Sequence, residues 1–443
     1  MFRRKIYDKL LEWKATSNGK TALLIEGARR VGKTTIVEEF AKNEYQSYIL
    51  IDFAFATTGV KELFHDISDL DYLFLQLQLQ FKVDLHERRS LIIFDEVQFC
   101  PQARQAIKKL VQDGRYDYIE TGSLISIKKN VQNILIPSEE RKIEMFPMDF
   151  EEFLWATGDQ TTNELLRKIF SEKISLGQRQ NRELMRKFRL YMLVGGMPQA
   201  VNAYLETNNF KYVDEVKRDI LNLYEADFYK IDPSGKISML FAAIPSELSR
   251  DSSRYQVSSV LKNHRASAIS NEISELVSSK TVLISYHVND PAIGMTTSLN
   301  TGQFRLFMAD TGLMVTLMFK DKDFTDNIIY EKLLSDTLPK NLGLFYENIV
   351  AQTLTCNGIK LFYNTYYDEI QKRIFEVDFL LAEGHKVSPL EVKSSKYRVH
   401  RSIDEFSKKH SDRINSKYVV HTKDLKKSGD LLYLPFYLVQ FIR

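Results

Sequence analysis

Cysteine is nearly missing: the 443 residues hold two, Cys100 and Cys356, far apart and in no CxxC pair. That excludes a disulfide framework, supports no zinc site and suits a reducing compartment. Glycine (18) and proline (10) are too sparse for a collagen-like or low-complexity chain. A composition 44% hydrophobic and 27% charged excludes wholesale disorder. Neither sign of charge dominates, since 61 Lys+Arg against 58 Asp+Glu leave +3, too little to argue a nucleic-acid partner from bulk charge. Long apolar runs are also missing. The strongest, LLYLPFYLVQFI, is about 12 residues and contains Pro435, against the ~20 needed to cross a bilayer. The N-terminal MFRRKIYDKLLEW is basic, but Asp8, Lys9 and Glu12 interrupt it, so no signal-peptide core is expected. A cytoplasmic protein that does not enter the membrane is the expectation. At roughly 100–200 residues per domain the length admits two to four domains.

What is present begins at Thr21. TALLIEGARR is an apolar run ending in Gly27, and VGKTTIVEEFAK follows with helical spacing at Ile36, Val37 and Phe40. Strand, loop, helix is the context in which a GxxxxGK[ST] motif binds phosphate. The loop runs Gly27, Ala28, Arg29, Arg30, Val31, Gly32, Lys33, Thr34, with Thr35 next in the helix. Gly27 and Gly32 permit the turn and close backbone approach. Successive N–H groups and the helix N-terminus hold phosphates, Lys33 reaches the β/γ-phosphates, and Thr34 coordinates Mg²⁺. ATP and Mg²⁺ are therefore the expected ligands. SLIIFDEV (Ser90–Val97) reads as a parallel strand ending in two acids. Asp95 there holds the Mg²⁺ water shell and Glu96 orients the attacking water. Adjacent strand residues face opposite ways, so the two acids converge only where the backbone turns at the strand end. Tyr45–Phe53 and Tyr116–Ser123 read as further strands and Gln102–Gln112 as a helix. That alternation predicts an α/β fold with a parallel sheet.

GARRVGKTT, LIIFDEVQ, IETGS and RKIEMFPMDFEEFL together resemble the AAA-type P-loop ATPases, over most of Thr21–Leu154. The resemblance is to the large microbial group that joins such an ATPase to an otherwise uncharacterised C-terminal half. It implies that Thr121 or Ser123 takes the polar sensor position, and it makes Arg141 a candidate for the arginine that reads nucleotide in its own or a neighbouring subunit. Arg29, Arg30, Arg88 and Arg115 are the alternatives. A homo-oligomer is among the group's expected states.

Four units are expected: the ATPase (1–157), a helical connector (158–235), a winged-helix-like module (236–333) and a nuclease-like end (334–443). The connector reads as basic helix over Asn163–Leu193, then a turn at Gly195, Gly196 and Pro198. The group resemblance extends to this GGMP turn and to the helix Val216–Phe228, with a structural role only. Three short helices then precede the strands TVLISYHV and FRLFMAD, a winged-helix pattern whose third helix reads DNA in DNA-binding members. Here that helix offers Ser270, Asn271, Glu272, Ser274 and Glu275, preceded by His264 and Arg265. This is a poor phosphate-binding face, and a protein contact is expected at least as much as DNA reading.

The last hundred residues carry a second constellation. Leu344–Gly358 is an amphipathic helix bearing Glu347, and Glu376–Gly384 and Pro389–Ser395 read as strands. Asp378 precedes Glu391 by 13 positions, and Glu391-Val392-Lys393 is an ExK triplet whose first and third side chains share a strand face. Phosphodiester hydrolysis uses carboxylates to hold divalent ions and a cation to position water. Glu347, Asp378 and Glu391 are the metal-ligand candidates, with Glu391 and Lys393 catalytic. The arrangement resembles the PD-(D/E)xK, or restriction-endonuclease-like, fold over about Leu342–Arg443, with Val377 where proline usually stands. Lys393–Lys427 holds 11 Lys+Arg against four acids, a net +7 that attracts phosphate backbones, with Tyr397 and Tyr418 available for stacking. Two functions follow: an ATP-driven switch or motor coupled to a Mg²⁺-dependent nuclease acting on nucleic acid, or a nucleotide-dependent protein whose C-terminal modules bind DNA or a protein without cleaving.

Overall fold

Five short strands, β1 (Ala22–Glu26), β2 (Ser47–Asp52), β3 (Ser90–Asp95), β4 (Asp117–Gly122) and β5 (Glu140–Glu144), lie in the order β2-β3-β4-β1-β5. Every pairing is parallel. β3 and β4 are buried at every position, as strands covered on both faces must be. In this computed structural model the described residues are all except 123–137, 251–253, 263, 293, 322–326, 336–341, 370–371, 384–385 and 395–396. Leu24, Ile49, Ile51, Ile92 and Tyr118 join one core. Phe53, Phe64 and Phe94 meet there edge to face at 5.3–5.6 Å, a geometry that adds to their burial. The edge strand β5 is fastened by Arg104, buried in the helix Pro101–Asp113, whose Nη2 lies 3.1 Å from Oε2 of Glu140.

The chain divides into two compact units: Met1–Phe146 with Ser278–Lys280, and Pro147–Val277 with Thr281–Arg443. The expected α/β class and parallel sheet are present in the first. In the second, the basic stretch expected as continuous helix is two helices, Thr162–Glu172 and Gln178–Val194. Lys173 (φ 56°) and Gly177 (φ 82°) break it, both left-handed. The helix expected over Val216–Phe228 runs from Phe210 to Ile231.

The hairpin read as a wing, β6 (Val282–Val288) and β7 (Leu299–Met308), does not stand alone. β6 also pairs in parallel with β8 (Phe362–Asp368), which pairs with β9 (Arg373–Val377), giving a four-stranded sheet β7-β6-β8-β9. The expected boundary at 333/334 therefore falls between strands of one sheet. A second sheet, β10 (Phe379–Glu383), β11 (Lys386–Val392), β12 (Lys417–His421), β14 (Leu431–Pro435) and β13 (Lys426–Ser428), follows in that spatial order. The segment expected as one strand over Glu376–Gly384 is thus two, and Asp378 is the bend between them.

The GGMP turn is a packing joint of the second unit. Gly196 N donates to Oδ2 of Asp310 (2.6 Å) and its carbonyl accepts from Met148 N (2.7 Å). A Cβ on Gly196 would stand 2.1 Å from the carbonyl oxygen of Met148, so only glycine fits.

Candidate functional site

The first site is built where β1 and β3 end. Gly32 (φ 97°) starts the helix Lys33–Glu44, and a Cβ on Gly27 would lie 2.4 Å from the carbonyl oxygen of Met145. Lys33 is buried and its Nζ donates to the carbonyls of Gly27 (2.9 Å) and Ala28 (3.0 Å). Burial pushes its ammonium down to about 8, against the opposing pull of Glu96 and Asp95. Thr34 Oγ1 donates to both carboxylate oxygens of Asp95, at 3.0 and 2.9 Å. Thr121 Oγ1 also donates to Asp95 Oδ1. Burial raises the Asp95 pKa, and these hydroxyl donors work against it.

Glu96 takes left-handed backbone (φ 52°, ψ 46°) and begins the one-turn helix Val97–Phe99. That is the turn two adjacent strand acids need if both are to face one site. Gln98, the last residue of the LIIFDEVQ segment, donates its amide N–H to Oε2 of Glu96, a partnership that the segment's motif does not signal. Two more residues carried no sequence signal. Arg4 donates to the carbonyls of Val31 (2.9 Å) and Phe146 (2.7 Å), bracing the loop from the N-terminal segment. Asp52 lies opposite Asp95 in the β2–β3 register and is a second acid at that strand end.

This donor set fits a nucleotide with Mg²⁺. A hydroxyl and a carboxylate meet at the strand end as hard oxygen ligands, and a buried lysine is held by loop carbonyls inside a cradle that only glycine permits. Ser123 lies outside the described residues. Arg141, on β5, pairs in register with Leu23, three residues before the strand end that carries the loop. Its Nη1 lies 3.4 Å from Thr16 Oγ1. Of the alternatives, Arg88 bonds Asp117 (2.9 Å) and Arg115 bonds Asp113 (2.8 Å), while Arg29 and Arg30 belong to the loop itself.

The C-terminal constellation is assembled differently. Asp378 Oδ2 accepts from Val392 N (2.7 Å), which ties the β9–β10 bend to the end of β11. Lys393 Nζ lies 2.5 Å from Oε1 of the buried Glu391, so these two do share a face. Glu347, in the helix Leu342–Cys356, is not free for a metal: Nη1 of Arg305, on β7, pairs with it and with Glu376 Oε1 at 3.0 Å. Burial pushes the acids up, Glu391 to about 7 and Glu347, Glu376 and Asp378 likewise above their ordinary range. Glu391 Oε2 and Glu347 Oε1 are buried without a hydrogen-bond partner, but Glu347 Oε1 is ion-paired with Arg305 Nη1, and the one oxygen left is not a coordination shell. Among the described residues no group of three or more His, Cys, Asp or Glu is placed to hold a metal ion. The expected metal set Glu347, Asp378 and Glu391 thus does not fit a divalent ion as arranged. Its charges are answered by Arg305, Lys393 and a backbone amide.

The basic C-terminal stretch contributes Lys423 and Lys426 to a groove of about 1090 Å³. Arg182, Arg186 and Arg189 line it from the helix Gln178–Val194, a 4-then-3 spacing that puts them on one helix face. Tyr397 lies in the groove with its ring stacked on His421 at 4.4 Å. Tyr418 is not available for stacking: it is buried and its hydroxyl donates to Glu383 Oε1 (2.9 Å). On the helix read as a DNA reader, Ser270, Asn271 and Ser274 are exposed, and Glu272 lies 3.5 Å from Lys236 Nζ. No described helix is long and apolar enough to cross a membrane.

Residues 19–154 match the family described as an AAA domain. Residues 185–323 and 342–437 match two families described as domains of unknown function (DUF8612 and DUF4143). An uncharacterized protein of Haemophilus influenzae is 23% identical over 176 residues, 38% of this chain and 41% of that protein, so the match spans less than half of the curated relative. Among solved structures, a Walker-type ATPase of Pyrococcus abyssi is 17% identical with a TM-score of 0.43, covering 72% of this chain and 96% of that one. The ORC1 protein of Aeropyrum pernix, in complex with DNA, is 11% identical with a TM-score of 0.29, covering 76% and 93%. Residues 19–154 thus match an AAA domain, and the phosphate-loop geometry there agrees with that match.

Proposed function

We propose that this chain is an ATP-hydrolysing switch whose C-terminal half binds nucleic acid. One observation carries the first part: the Thr34 hydroxyl bonds the Asp95 carboxylate at the end of β3, Lys33 is held by the carbonyls of the adjoining loop, and Glu96 is turned at the next residue. The loop amides and Lys33 bind and orient the phosphates, and Thr34 and Asp95 would hold Mg²⁺. The ion supplies charge neutralisation on the phosphates. Glu96 positions water and takes its proton, and the Gln98 amide, donating to Oε2, orients that carboxylate. Thr121, hydrogen-bonded to Asp95, is the sensor that registers what occupies the site.

Measuring hydrolysis and nucleotide binding separately tests this. Glu96→Gln is expected to keep ATP binding and lose about 10²–10⁴-fold in turnover. Lys33→Ala is expected to lose binding as well. A wild-type chain without ATPase activity, or a Glu96→Gln chain with full activity, rejects the assignment.

For the C-terminal half, binding without cleavage is favoured over a Mg²⁺-dependent nuclease, because Glu347 and Glu391 already hold Arg305 and Lys393. The basic groove supports a phosphate-bearing strand as ligand. Fluorescence anisotropy with a single-stranded oligonucleotide tests it. The double variant Arg182→Glu, Arg186→Glu should weaken binding and flatten its salt dependence by about 0.7 log unit per lost phosphate contact. Unchanged binding and slope would remove the groove from the function. Mg²⁺- or Mn²⁺-dependent cleavage that Asp378→Ala and Lys393→Ala abolish would restore the nuclease reading.

A further inference from the structure

Four acids, Glu347, Glu376, Asp378 and Glu391, face two basic side chains, Arg305 and Lys393, in the second unit. They come from one helix, the β9–β10 bend and two strands, and Arg305 reaches them from a segment that sequence alone assigned to another module. Its β7 register is fixed opposite Ser285 of β6. The guanidinium carbon lies 5.7 Å from the ring centre of Phe307 and 5.9 Å from that of Tyr363, both buried. Arg305 itself is 8% exposed.

We infer that Arg305 stands in the place of a divalent cation: it is the built-in counter-cation of Glu347, Glu376 and Asp378, and it closes this site to metal. A guanidinium never loses its charge in a protein, and its fork can serve two carboxylates at once. A metal ion entering among the same acids would leave that charge buried and unpaired, which is more costly than keeping the pair. The β6–β7 pairing fixes the backbone from which the arginine reaches the acids, and the Phe307 and Tyr363 rings lie beside its guanidinium. The site is thus a structural ion network joining β7 to β9 and to the helix Leu342–Cys356. This rests on the reading of the C-terminal half as a binding module and explains why that module would not cleave.

The test is divalent-ion binding to the full chain without nucleotide, with Mn²⁺ as probe. Wild type should bind no Mn²⁺ in this site up to about 1 mM, the weak end of oxygen-ligand sites in proteins. Arg305→Gln should gain a Mn²⁺ site at least tenfold tighter, and adding Asp378→Asn should remove it. A wild-type site below that concentration that Asp378→Asn abolishes overturns the inference, as does an Arg305→Gln chain with native circular dichroism that gains no site. If Arg305→Gln does not fold, thermal melting of wild type decides. No rise with Mn²⁺ supports the inference, and a rise that Asp378→Asn abolishes overturns it. Oligonucleotide binding in excess EDTA reports on the nucleic-acid reading alone, so the two can fail separately.

Discussion

Glu96 holds a left-handed backbone at φ 52°, a conformation that costs an L residue about 1–2 kcal/mol. Strain of this kind persists where the surroundings demand it, and here it turns a strand-end acid toward the phosphate loop. Stability and activity should therefore separate at this position. Glu96→Gly is expected to melt no lower than wild type, since glycine takes this backbone freely, while turnover falls about 10²-fold or more. A calorimetric melt beside an ATPase assay checks both. The contrasting case is Gly312, where a Cβ would stand 2.5 Å from Cα and 2.6 Å from N of Gly195. Backbone cannot move aside as a side chain can, so Gly312→Ala should destabilise the second unit by about 1–3 kcal/mol in a denaturant titration.

The helix Phe210–Ile231 is anchored by a buried lysine. Lys217 Nζ donates to the carbonyls of Leu193 (2.9 Å) and Gly312 (3.1 Å) and to the hydroxyl of Tyr330 (2.8 Å). Burial pushes its ammonium down to about 8, with Asp214 and Asp310 pulling the other way. Unfolded, the same lysine titrates near 10.4. Between those values the unfolded chain binds more protons, so this group's contribution to stability rises as pH climbs through that window. Lys217→Met should remove that rise, and should also cost about 1–3 kcal/mol for each buried acceptor left without a donor. Melting wild type and variant at pH 7.5 and 9.5 isolates the term, because Lys33 shifts alike in both. None of this was legible in the sequence, where Lys217 is one lysine among many on a charged helix. The phosphate loop and the β3 acids were legible because their chemistry sits within single short segments. Asp378, Glu391 and Lys393 were found for the same reason. Arg305 and Glu376 were not, since their meeting depends on β6 pairing with β8 across an intervening stretch of chain, and no local pattern encodes a non-local pairing. The GGMP turn was read as structural, yet its partner Asp310 could be named only once Met148 and the start of the helix Thr311–Met318 were seen beside it.

At the scale of the whole molecule, Arg141 and coupling decide whether the chain works alone. Arg141 lies beside Leu23, about 10 Å back along β1 from the loop, and the reading to test is that it serves the nucleotide of a neighbouring copy. Sedimentation with and without ATP should therefore match the enzymology. If ATP assembles the chain, Arg141→Ala should lower turnover by about 10³-fold or more. If the chain stays monomeric, the same variant should leave turnover unchanged. Assembly with an unaffected Arg141→Ala rejects the assignment. Switching makes a further thermodynamic demand. If ATP changes the affinity of the C-terminal half for an oligonucleotide, the oligonucleotide must change ATP affinity by the same factor, typically 5–150-fold for coupled sites. Glu96→Gln, which holds ATP without turning it over, allows both legs of the cycle to be measured at equilibrium. Equal, non-unit factors on the two legs would establish a switch. Factors of one on both would mean that the ATPase and the nucleic-acid groove share a chain without sharing an equilibrium.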